Sequence, residues 1–409
     1  MSISHREWKF QALTDIWTGD ADQRGERLIP TSLLGSIRWW FEVLIRGLDG
    51  SACDPSFEDR RARPESSRCP DPHVKIPFNQ AHHCIVCELF GCTGWARKFR
   101  LQVLDQAGAT IRERIKRNQQ FVLRFVPLRQ IKSEEWALLD LTLRLIADYG
   151  AISGRTVLKP SDEPGLADFG LDDFEETESQ VVLKNSRRGL PLQRGDIILE
   201  IEGYPISALD DLKTAVLGKP HGEEIQVQLC RQSEKRTVTA WAGKRHHADY
   251  GLIQLMAPTS TEERLSKEQL WTYVQWSRWR RVEDNDFAWA SLKNFWCVNG
   301  LYIAREGEKN STFNRVIGRP EPKGEASDPN FDSWLAGRRP EREAERPPES
   351  KKVVSFKKPA RTFGFVENSR NLADFRNTLQ QHLQHKWGKF EFLSGSQILA
   401  FLTAAGGGR

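Results

Sequence analysis

The first 160 residues alternate between strand-like and helix-like hydrophobic patterns. Three segments alternate apolar and polar side chains, as expected for strands with one buried face: 8–12, 99–103 and 121–125. Two segments repeat apolar residues every three or four positions, which predicts helices: 31–48 and 133–149. The resulting order, β-α-β-β-α, is that of a ferredoxin-like unit without its last strand.

A second pattern interrupts this unit. Short apolar strands and one short helix follow one another from Gln180 to about Ala240, and only then does Gly251–Leu255 supply a candidate for the missing strand. Surface connections tolerate insertions when the ends of the inserted piece lie close together. We therefore predict a small domain at 165–243, inserted into the last connection of a first domain that spans 1–160 and 244–258.

The remaining residues, 259–409, are predicted to form a third part. A Trp- and Arg-rich stretch at 271–281 precedes apolar segments near 295–303, and a final helical pattern runs from Leu372 to Trp387. Residues 318–352 are rich in Pro, Glu, Arg and Lys and contain few aliphatic residues, so we predict a mobile loop there. The whole pattern predicts an α+β chain.

Composition and hydropathy indicate the class of protein and its location in the cell. The 409 residues have a net charge of +5 and are 39% hydrophobic, and a mean hydropathy of −0.56 indicates a soluble chain of two or three domains. We find no apolar run long enough for a membrane span, and the charged N-terminus lacks the apolar stretch of a signal peptide. We expect a cytoplasmic protein. The small positive excess does not by itself indicate nucleic-acid binding.

Four of the seven cysteines fall in a polar insertion at 51–90. Their spacing, a C-x-x-C pair with two more cysteines upstream, suits tetrahedral zinc, and a metal would explain how a segment with few aliphatic residues folds. We predict a structural zinc site formed by Cys53, Cys69, Cys84 and Cys87. The fourth ligand stays open, with His73, His82, His83 and Cys92 as alternatives, and reduced free thiols are the competing interpretation.

Three small-residue, basic segments favour RNA contact. They are the polar face of the first helix with Arg38, the turn 91–100 with Trp95, and the turn 150–155, which ends in Arg155. Glycines allow close backbone approach to a phosphate, cations neutralise it, and an indole can stack on an unpaired base. The competing interpretation of the helix face is a solvated stripe of ion pairs.

Several of these segments resemble one family. TGD (18–20), LIPTSLLGSIRWWFEVLIRGL (28–48), CELFGCTGWARKF (87–99) and the turn 150–155 resemble the RAMP superfamily, and within it the RAMP subunit of the Cmr module of type III-B CRISPR effectors. The resemblance implies two ferredoxin-like (RRM-like) domains and a non-catalytic role. It also implies partners: the guide RNA near its 3′ end, the paired target RNA and other RAMP subunits. One departure is that the insert separates the turn 150–155 from the strand at 251–255.

The insert carries its own resemblance. GLPLQRGDIILEIEGYPISALDDLKTAV (189–216) is similar to bacterial PDZ domains found beside proteases. Such domains bind a peptide as an added strand, next to a helix that here begins near 208. Leu166 and the run 169–171 are candidates for the loop that binds a peptide carboxylate. A possible peptide or protein ligand and a spacer role between subunits are both open.

Catalysis is the minority interpretation. In RAMP subunits that cut RNA, an aspartate in the loop before the first helix faces the target, and Asp20 and Asp22 occupy that loop here. We expect them to orient Arg24 and Arg27 near a phosphate instead. Adjacent histidine pairs such as His82 and His83 point apart on a strand and give no acid–base pair. The sequence contains no P-loop, dinucleotide turn or nucleophile elbow.

These observations lead to one expectation and two alternatives. We expect a non-catalytic RNA-binding subunit of a type III-B CRISPR effector in antiviral defence, with a PDZ-like insert and structural zinc. The alternatives are a target-RNA endoribonuclease that uses Asp20 or Asp22, and an adaptor whose insert recruits a protein partner. The residues expected to contact RNA are Arg24, Arg27, Arg38, Trp95, Arg97, Lys98 and Arg155.

Overall fold

A computed structural model provides the coordinates of the chain. It describes residues 5–19, 27–53, 69–70, 82–154, 156–158, 165–166, 169–178, 180–184, 191–217, 219, 223–243, 248–258, 265–282, 287–303, 305–306, 310–311, 313, 316–317, 334–337, 350–383 and 389–404. Within these ranges, no helix is both long and apolar enough to cross a membrane.

The helices of the described residues are α1 Pro30–Gly47, α2 Ile85–Phe90, α3 Ser133–Tyr149, α4 Leu209–Val216, α5 Lys267–Val274, α6 Leu372–His382 and α7 Gly395–Thr403. The first strands are β1 Arg6–Ala12, β2 Phe99–Leu104, β3 Gln120–Pro127, β4 Val157–Leu158, β5 Gly165–Leu166, β6 Phe174–Thr177, β7 Gln180–Leu183, β8 Ile197–Ile201 and β9 Tyr204–Pro205. The later strands are β10 Glu224–Arg231, β11 Glu234–Gly243, β12 Ala248–Asp249, β13 Ile253–Pro258, β14 Phe295–Asn299, β15 Arg305–Glu306, β16 Asn310–Ser311, β17 Val353–Lys357, β18 Ala360–Phe365 and β19 Phe392–Ser394.

The first sheet has the strand order of a ferredoxin-like unit. Its four antiparallel strands are arranged β13-β1-β3-β2, so the strand that follows the insert lies at the edge and pairs with β1. Ile253 of β13 is opposite Ala12, and Leu255 is opposite Phe10. Because alternate residues of a strand share a face, this register puts the buried side chains of both strands on the side covered by α1 and α3.

The insert has a separate core. Its sheet runs β5-β11-β10-β8-β7-β6, with the short β9 beside β8 and the helix α4 packed near β6. Phe169, Ile198, Leu212 and Val227 are fully buried in a cluster made only of insert residues. This separation follows from the alternation of apolar residues along β10, whose buried face is filled within the insert itself.

The third sheet repeats the order of the first. Its strands lie β19-β14-β18-β17, which is 4-1-3-2 in chain order, the same as β13-β1-β3-β2 in the first sheet. Phe295 and Phe363 on one face meet Trp40 of α1, with ring centroids 5.6 and 5.8 Å away. Trp296 on the other face meets Phe375 of α6 at 4.7 Å. The first and third parts therefore share one core, and the predicted α+β class is confirmed.

Two expectations about the third part differ from the structure or fall outside it. The helix that begins at Leu372 ends at His382, earlier than the pattern to Trp387 predicted, because Leu383 already leaves helical geometry. Residues 384–388 lie outside the described residues, as do most of the predicted mobile loop 318–352 and most of the insertion 51–90.

Candidate metal centre and RNA-binding edge

Four buried cysteines meet beside α1 and α2. Cys53 follows α1, Cys84 is the N-cap of α2, Cys87 lies in its first turn, and Cys69 comes from the insertion. Their sulfur atoms all lie within 4.8 Å of one another, and those of Cys53 and Cys87 are 3.4 Å apart. The structure thus brings together the four cysteines that the spacing selected, in a group that is able to hold a metal ion.

Hydrogen-bond donors point at these sulfur atoms. Arg38 Nη2 lies 3.4 Å from Cys87 Sγ, and Arg280 Nη1 lies 3.8 Å from Cys69 Sγ. The backbone N–H of Cys84 also donates to Cys69 Sγ at 3.3 Å. Four thiolates around a divalent cation carry a net charge of −2, and two guanidinium groups beside them offset it. The surroundings of the four sulfurs therefore fit a metal thiolate centre.

The pKa shifts of the thiols also fit a metal thiolate centre. Hydrogen bonds from Cys53, Cys69 and Cys87 hold the pKa of Cys84 well below its usual range. Hydrogen bonds with Cys69 and Cys84, together with burial, raise the pKa of Cys53. Metal ligation requires thiolates, so a divalent cation held by these four sulfurs would displace protons from the thiols. This donor set is the one that structural zinc prefers.

Lys98 lies inside the protein. Its Nζ is 2.5 Å from Glu88 Oε1 and 2.7 Å from Glu135 Oε1. Burial opposes ionisation of Glu88, but hydrogen bonds from His83 and Lys98 lower its pKa to about 2. His83 Nε2 lies 2.5 Å from Glu88 Oε2, and His83 and His82 meet through their Nδ1 atoms at 2.9 Å. A lysine enclosed by two carboxylates is not open to an RNA phosphate, and the two histidines do not point apart as the sequence suggested.

Trp95 and Arg38 are also engaged internally. The half-buried Trp95 ring lies 4.5 Å from the His83 ring, and the guanidinium of Arg129 lies 4.8 Å from its centroid. Arg38 bonds Glu42 on its own helix at 3.1 Å and donates to the carbonyl of Gly91 at 2.8 Å. These contacts hold the turn 91–98 against α1. Arg97, at the same turn, is half-buried.

Gly91 shows why this turn needs a glycine. Its φ is +82°, and a Cβ atom there would lie 2.8 Å from the backbone nitrogen of Arg97 and 2.8 Å from the carbonyl oxygen of Trp95. L-residues with side chains are strained at such a φ, and backbone atoms cannot move aside cheaply. The glycine at the end of the CELFG segment is therefore required by the backbone of the turn itself, and its presence does not indicate a ligand.

The turn 150–154 is held differently. Trp40 Nε1 donates to the carbonyl of Ala151 at 2.9 Å, and Arg361 of β18 donates to the carbonyl of Gly150 at 2.8 Å. Further along, Ser153 Oγ and the Gly154 N–H both donate to the carbonyl of Trp17, at 2.8 and 3.1 Å. These bonds join the turn to the loop before α1.

The N-terminus of α1 lies beside the turn 150–154 and residues 17–19. The helix starts at Pro30, its first turn carries no acidic residue, and Ile29 at the N-cap supplies no side-chain hydrogen bond. Thr18 stabilises the chain directly before α1, because its hydroxyl donates to the carbonyl of Arg27 and accepts from the N–H of Ile29, each at 2.9 Å. We call the N-terminus of α1, residues 17–19 and residues 150–154 together the turn edge.

Among the described residues, one of those expected to contact RNA, Arg27, lies at the turn edge. Arg27 is exposed there and forms a backbone bridge with Glu113. Arg24, Arg155, Asp20 and Asp22 lie outside the described residues; Gly19, which precedes Asp20, and Gly154, which precedes Arg155, belong to the edge. The structure therefore separates the predicted set, with Arg38, Trp95 and Lys98 on the far side of α1 beside the cysteines.

The candidate carboxylate loop of the insert uses its own amides. The N–H of Phe169 donates to the carbonyl of Leu166 at 2.9 Å. The N–H of Gly170 donates to Asp173 Oδ2, also at 2.9 Å, and Asp173 is buried. The neighbouring strand β6 is an edge strand of the insert's sheet. The carboxylate of Glu176 in β6 accepts a hydrogen bond from the N–H of Leu209 at the start of α4.

Sequence reasoning missed several partners in these sites. Glu88, Glu135, Arg129 and Arg280 shape the cysteine group and the neighbouring turn, yet none was singled out. Glu88 stands inside the distinctive CELFG segment, which was a usable signal. Arg280 stands among several arginines in the Trp- and Arg-rich stretch, and nothing in the sequence distinguishes it from them.

Comparison with known proteins assigns two regions. A RAMP superfamily model matches residues 9–158, and a PDZ domain model matches residues 170–240. No curated protein sequence matches the chain.

Among solved structures, apo Cmr1 from Pyrococcus furiosus is similar at 13% identity with a TM-score of 0.23, covering 37% of this chain and 45% of that one. The HtrA-type protease AlgW with a tripeptide is similar at 14% identity with a TM-score of 0.17, covering 37% of this chain and 46% of that one. The chain spans less than half the length of each of these structures. Residues 9–158 are thus a RAMP superfamily domain, and residues 170–240 are a PDZ domain.

Proposed function

We propose that the chain is a non-catalytic RNA-binding subunit of a type III-B CRISPR effector, which contacts the guide RNA near its 3′ end and the target RNA in antiviral defence. The RAMP match over 9–158 supports the protein class. The observation that carries the RNA-binding part is the meeting of two backbone segments, 17–19 and 150–154, with the N-terminus of an 18-residue helix at the turn edge.

Phosphate binding at this edge follows from simple electrostatics. The aligned peptide dipoles of α1 place a partial positive charge at Pro30, and no acidic side chain in its first turn opposes an anion. The exposed Arg27 adds a full charge, and Arg24 and Arg155 are predicted to add two more. Small residues at 153–154 let a sugar–phosphate backbone approach closely.

We propose that the subunit binds RNA without cutting it. Asp20 and Asp22 stand in sequence beside Arg24 and Arg27, and in this proposal they orient those cations. The proposed partners are guide RNA, target RNA and other RAMP subunits, and the PDZ domain is proposed to bind a peptide or protein. A cytoplasmic location goes with these partners.

We also propose that the four-cysteine group holds structural zinc. The ligands would be Cys53, Cys69, Cys84 and Cys87, with Arg38 and Arg280 beside the sulfurs. Zinc at this point would tie the insertion to α1 and to the stretch after α5. Its role would be to stabilise the fold, since structural zinc contributes folding free energy directly.

The test of RNA binding uses the full chain and single-stranded RNA of a guide sequence. We expect Arg27→Ala to weaken binding and to reduce the salt slope by about 0.7, the value for one lost phosphate contact on a single strand. The matched control is Lys235→Ala, an exposed cation of the PDZ domain. An unchanged affinity and slope for Arg27→Ala would contradict the site.

Assembly and cleavage are tested separately. Mass spectrometry of the native complex should find guide RNA and other RAMP subunits bound to the chain. In a cleavage assay with paired target RNA, the wild-type protein should leave the target intact, as should Asp20→Ala and Asp22→Ala. Cutting that disappears in either variant would favour the endoribonuclease alternative.

A further inference from the structure

A cavity of about 350 Å³ lies between the first and third domains, directly beside the turn edge. Hydroxyl groups of Ser32 and Ser36 on α1 line it, and so do the aromatic rings of Trp39, Trp289 and Phe365. Its volume is at the lower end of the range of pockets that bind small molecules, about 300–1,000 Å³. A mostly apolar lining with a few polar groups is also typical of such pockets.

The aromatic wall is held in place by ring contacts. Trp39 and Trp289 are half-buried, and each meets Phe365 with nearly perpendicular ring planes, at centroid distances of 5.6 and 5.4 Å. Rings fixed in this way lose little conformational entropy when a flat ligand stacks on them. The wall is therefore suited to an aromatic ring and less suited to a flexible aliphatic chain.

The charge around the cavity is positive. Lys352 is buried, and its Nζ lies 4.3 Å from the Trp289 ring centroid while donating to the carbonyl of Ser350 at 2.8 Å. Lys351 lines the cavity beside it. Ser32 belongs to the first turn of α1, where the helix dipole is positive. A ligand with an aromatic ring and a nearby negative charge matches this combination.

We propose that this cavity accepts one unstacked nucleoside of a single-stranded RNA. Its base stacks on Trp39 or Trp289, the Ser32 and Ser36 hydroxyls bond the base edge, and the adjoining phosphates follow the turn edge. Single-stranded RNA is recognised in this way by splayed bases on aromatic side chains. The proposal rests on the proposed RNA-binding function and adds to it a defined base-binding position.

The first experiment measures affinity and salt slope together, with fluorescein-labelled oligouridylate and oligoadenylate and the full-length protein. Ser36→Phe fills the cavity and Trp289→Ala removes a stacking wall. Each should weaken binding about 5- to 100-fold while the salt slope stays at the wild-type value, because a base contact is lost and no phosphate contact is. The controls are Thr237→Phe and Trp241→Ala, which alter exposed positions of the PDZ domain.

The second experiment removes the base instead of the pocket. A single 4-thiouridine maps the nucleotide that crosslinks to the cavity, and that nucleotide is then made abasic. The abasic RNA should bind wild-type protein as weakly as intact RNA binds Ser36→Phe, with no further loss when the two changes are combined. Thermal unfolding checks that the variants are folded, and Ser36→Phe carries the test if Trp289→Ala is not.

Different outcomes overturn different statements. If the wild-type protein binds neither RNA, the proposed RNA-binding function fails. If it binds them but both cavity variants retain wild-type affinity, only the base-binding position fails. Equal affinity for fully paired duplex RNA also overturns this position, because a paired base cannot enter the cavity.

Discussion

The two glycine-containing turns beside α1 look alike in sequence and differ in the structure. Both 91–98 and 150–155 combine glycine with basic residues. In the first, the ammonium of Lys98 lies between Glu88 and Glu135, and Arg38 contacts Cys87. The second contributes backbone and hydroxyl groups to an edge that borders a cavity. Basic side chains of the first turn are therefore used inside the protein, whereas the described part of the second turn, 150–154, supplies backbone and hydroxyl groups to the turn edge.

The difference depends on which anions the fold brings near each turn. Beside 91–98 there are two carboxylates and a group of thiols, so cations placed there stabilise the fold. The first turn of α1, beside 150–154, carries no acidic residue. In the proposed function, cations near such a helix N-terminus are the ones that contact phosphate. The predictions below test this division, from the largest expected effect to the smallest.

The largest effect should come from the cysteine group. If the group holds zinc as proposed, we expect Cys84→Ser, or removal of metal with a strong chelator, to abolish most of the zinc content and to unfold the protein at 37 °C, since structural zinc contributes folding free energy directly. Elemental analysis and thermal unfolding measure the two effects. The control Cys230→Ser changes a half-buried cysteine of the PDZ domain and should keep the metal. A fully folded, metal-free wild-type protein would contradict the prediction.

Next comes Lys98. Lys98→Met should lower the free energy of unfolding by about 3–5 kcal/mol, because it removes the ammonium between two buried carboxylates and leaves Glu88 with His83 alone. Urea denaturation measures this change. The RNA affinity of the folded fraction should equal that of the wild type, since the ammonium does not face solvent. A stable variant with weaker RNA binding would return Lys98 to the RNA surface.

A pair of glycines in the same turn gives a smaller, internally controlled effect. Gly91→Ala should cost about 2 kcal/mol or more, from the positive φ and from contact with two backbone atoms. Gly94→Ala has a similar φ, +77°, but no atom within 4 Å of the added Cβ, and should cost about 1 kcal/mol. Equal losses of unfolding free energy would show that the close packing at Gly91 contributes nothing.

The smallest effect is expected at the cavity rim. Lys351→Ala should leave the melting temperature within about 2 °C of the wild type and reduce the salt slope of RNA binding by about 0.7. Lys235→Ala on the PDZ domain should change neither quantity. If Lys351→Ala lowers the melting temperature and leaves the salt slope intact, Lys351 stabilises the fold, as Lys98 does, and does not contact a phosphate.

Much of the fold could be predicted because it follows local periodicity. The alternation at 8–12 and the three-and-four spacing at 31–48 correspond to β1 and α1, and the strand after the insert pairs with β1. The cysteine group was predictable because ligand spacing within a loop is also local. The surroundings of the sites were not, because they depend on distant partners: Glu135 lies 37 positions from Lys98, and Arg280 lies 211 positions from Cys69.

The cavity could not be predicted for the same reason. Trp39 and Trp40 are neighbours in one helix and both line the cavity, and nothing in their sequence shows that Trp40 is buried while Trp39 is half-buried. Lys351 and Lys352 fall at the end of a segment whose composition indicated a mobile loop. Only the packing of the third sheet on α1 places these residues together.

The attachment of the PDZ domain has a mechanical consequence. The chain enters through β4 and returns through β12, and these two strands pair with each other, with Ala248 opposite Leu158 and Asp249 opposite Val157. The carboxylate of Asp249 also accepts from the backbone N–H groups of Lys357 and Lys358 in the third domain. A paired ribbon anchored at its base bends less readily than a single strand, so the place where the chain leaves for the PDZ domain and returns from it is held as one stiff point against the third domain.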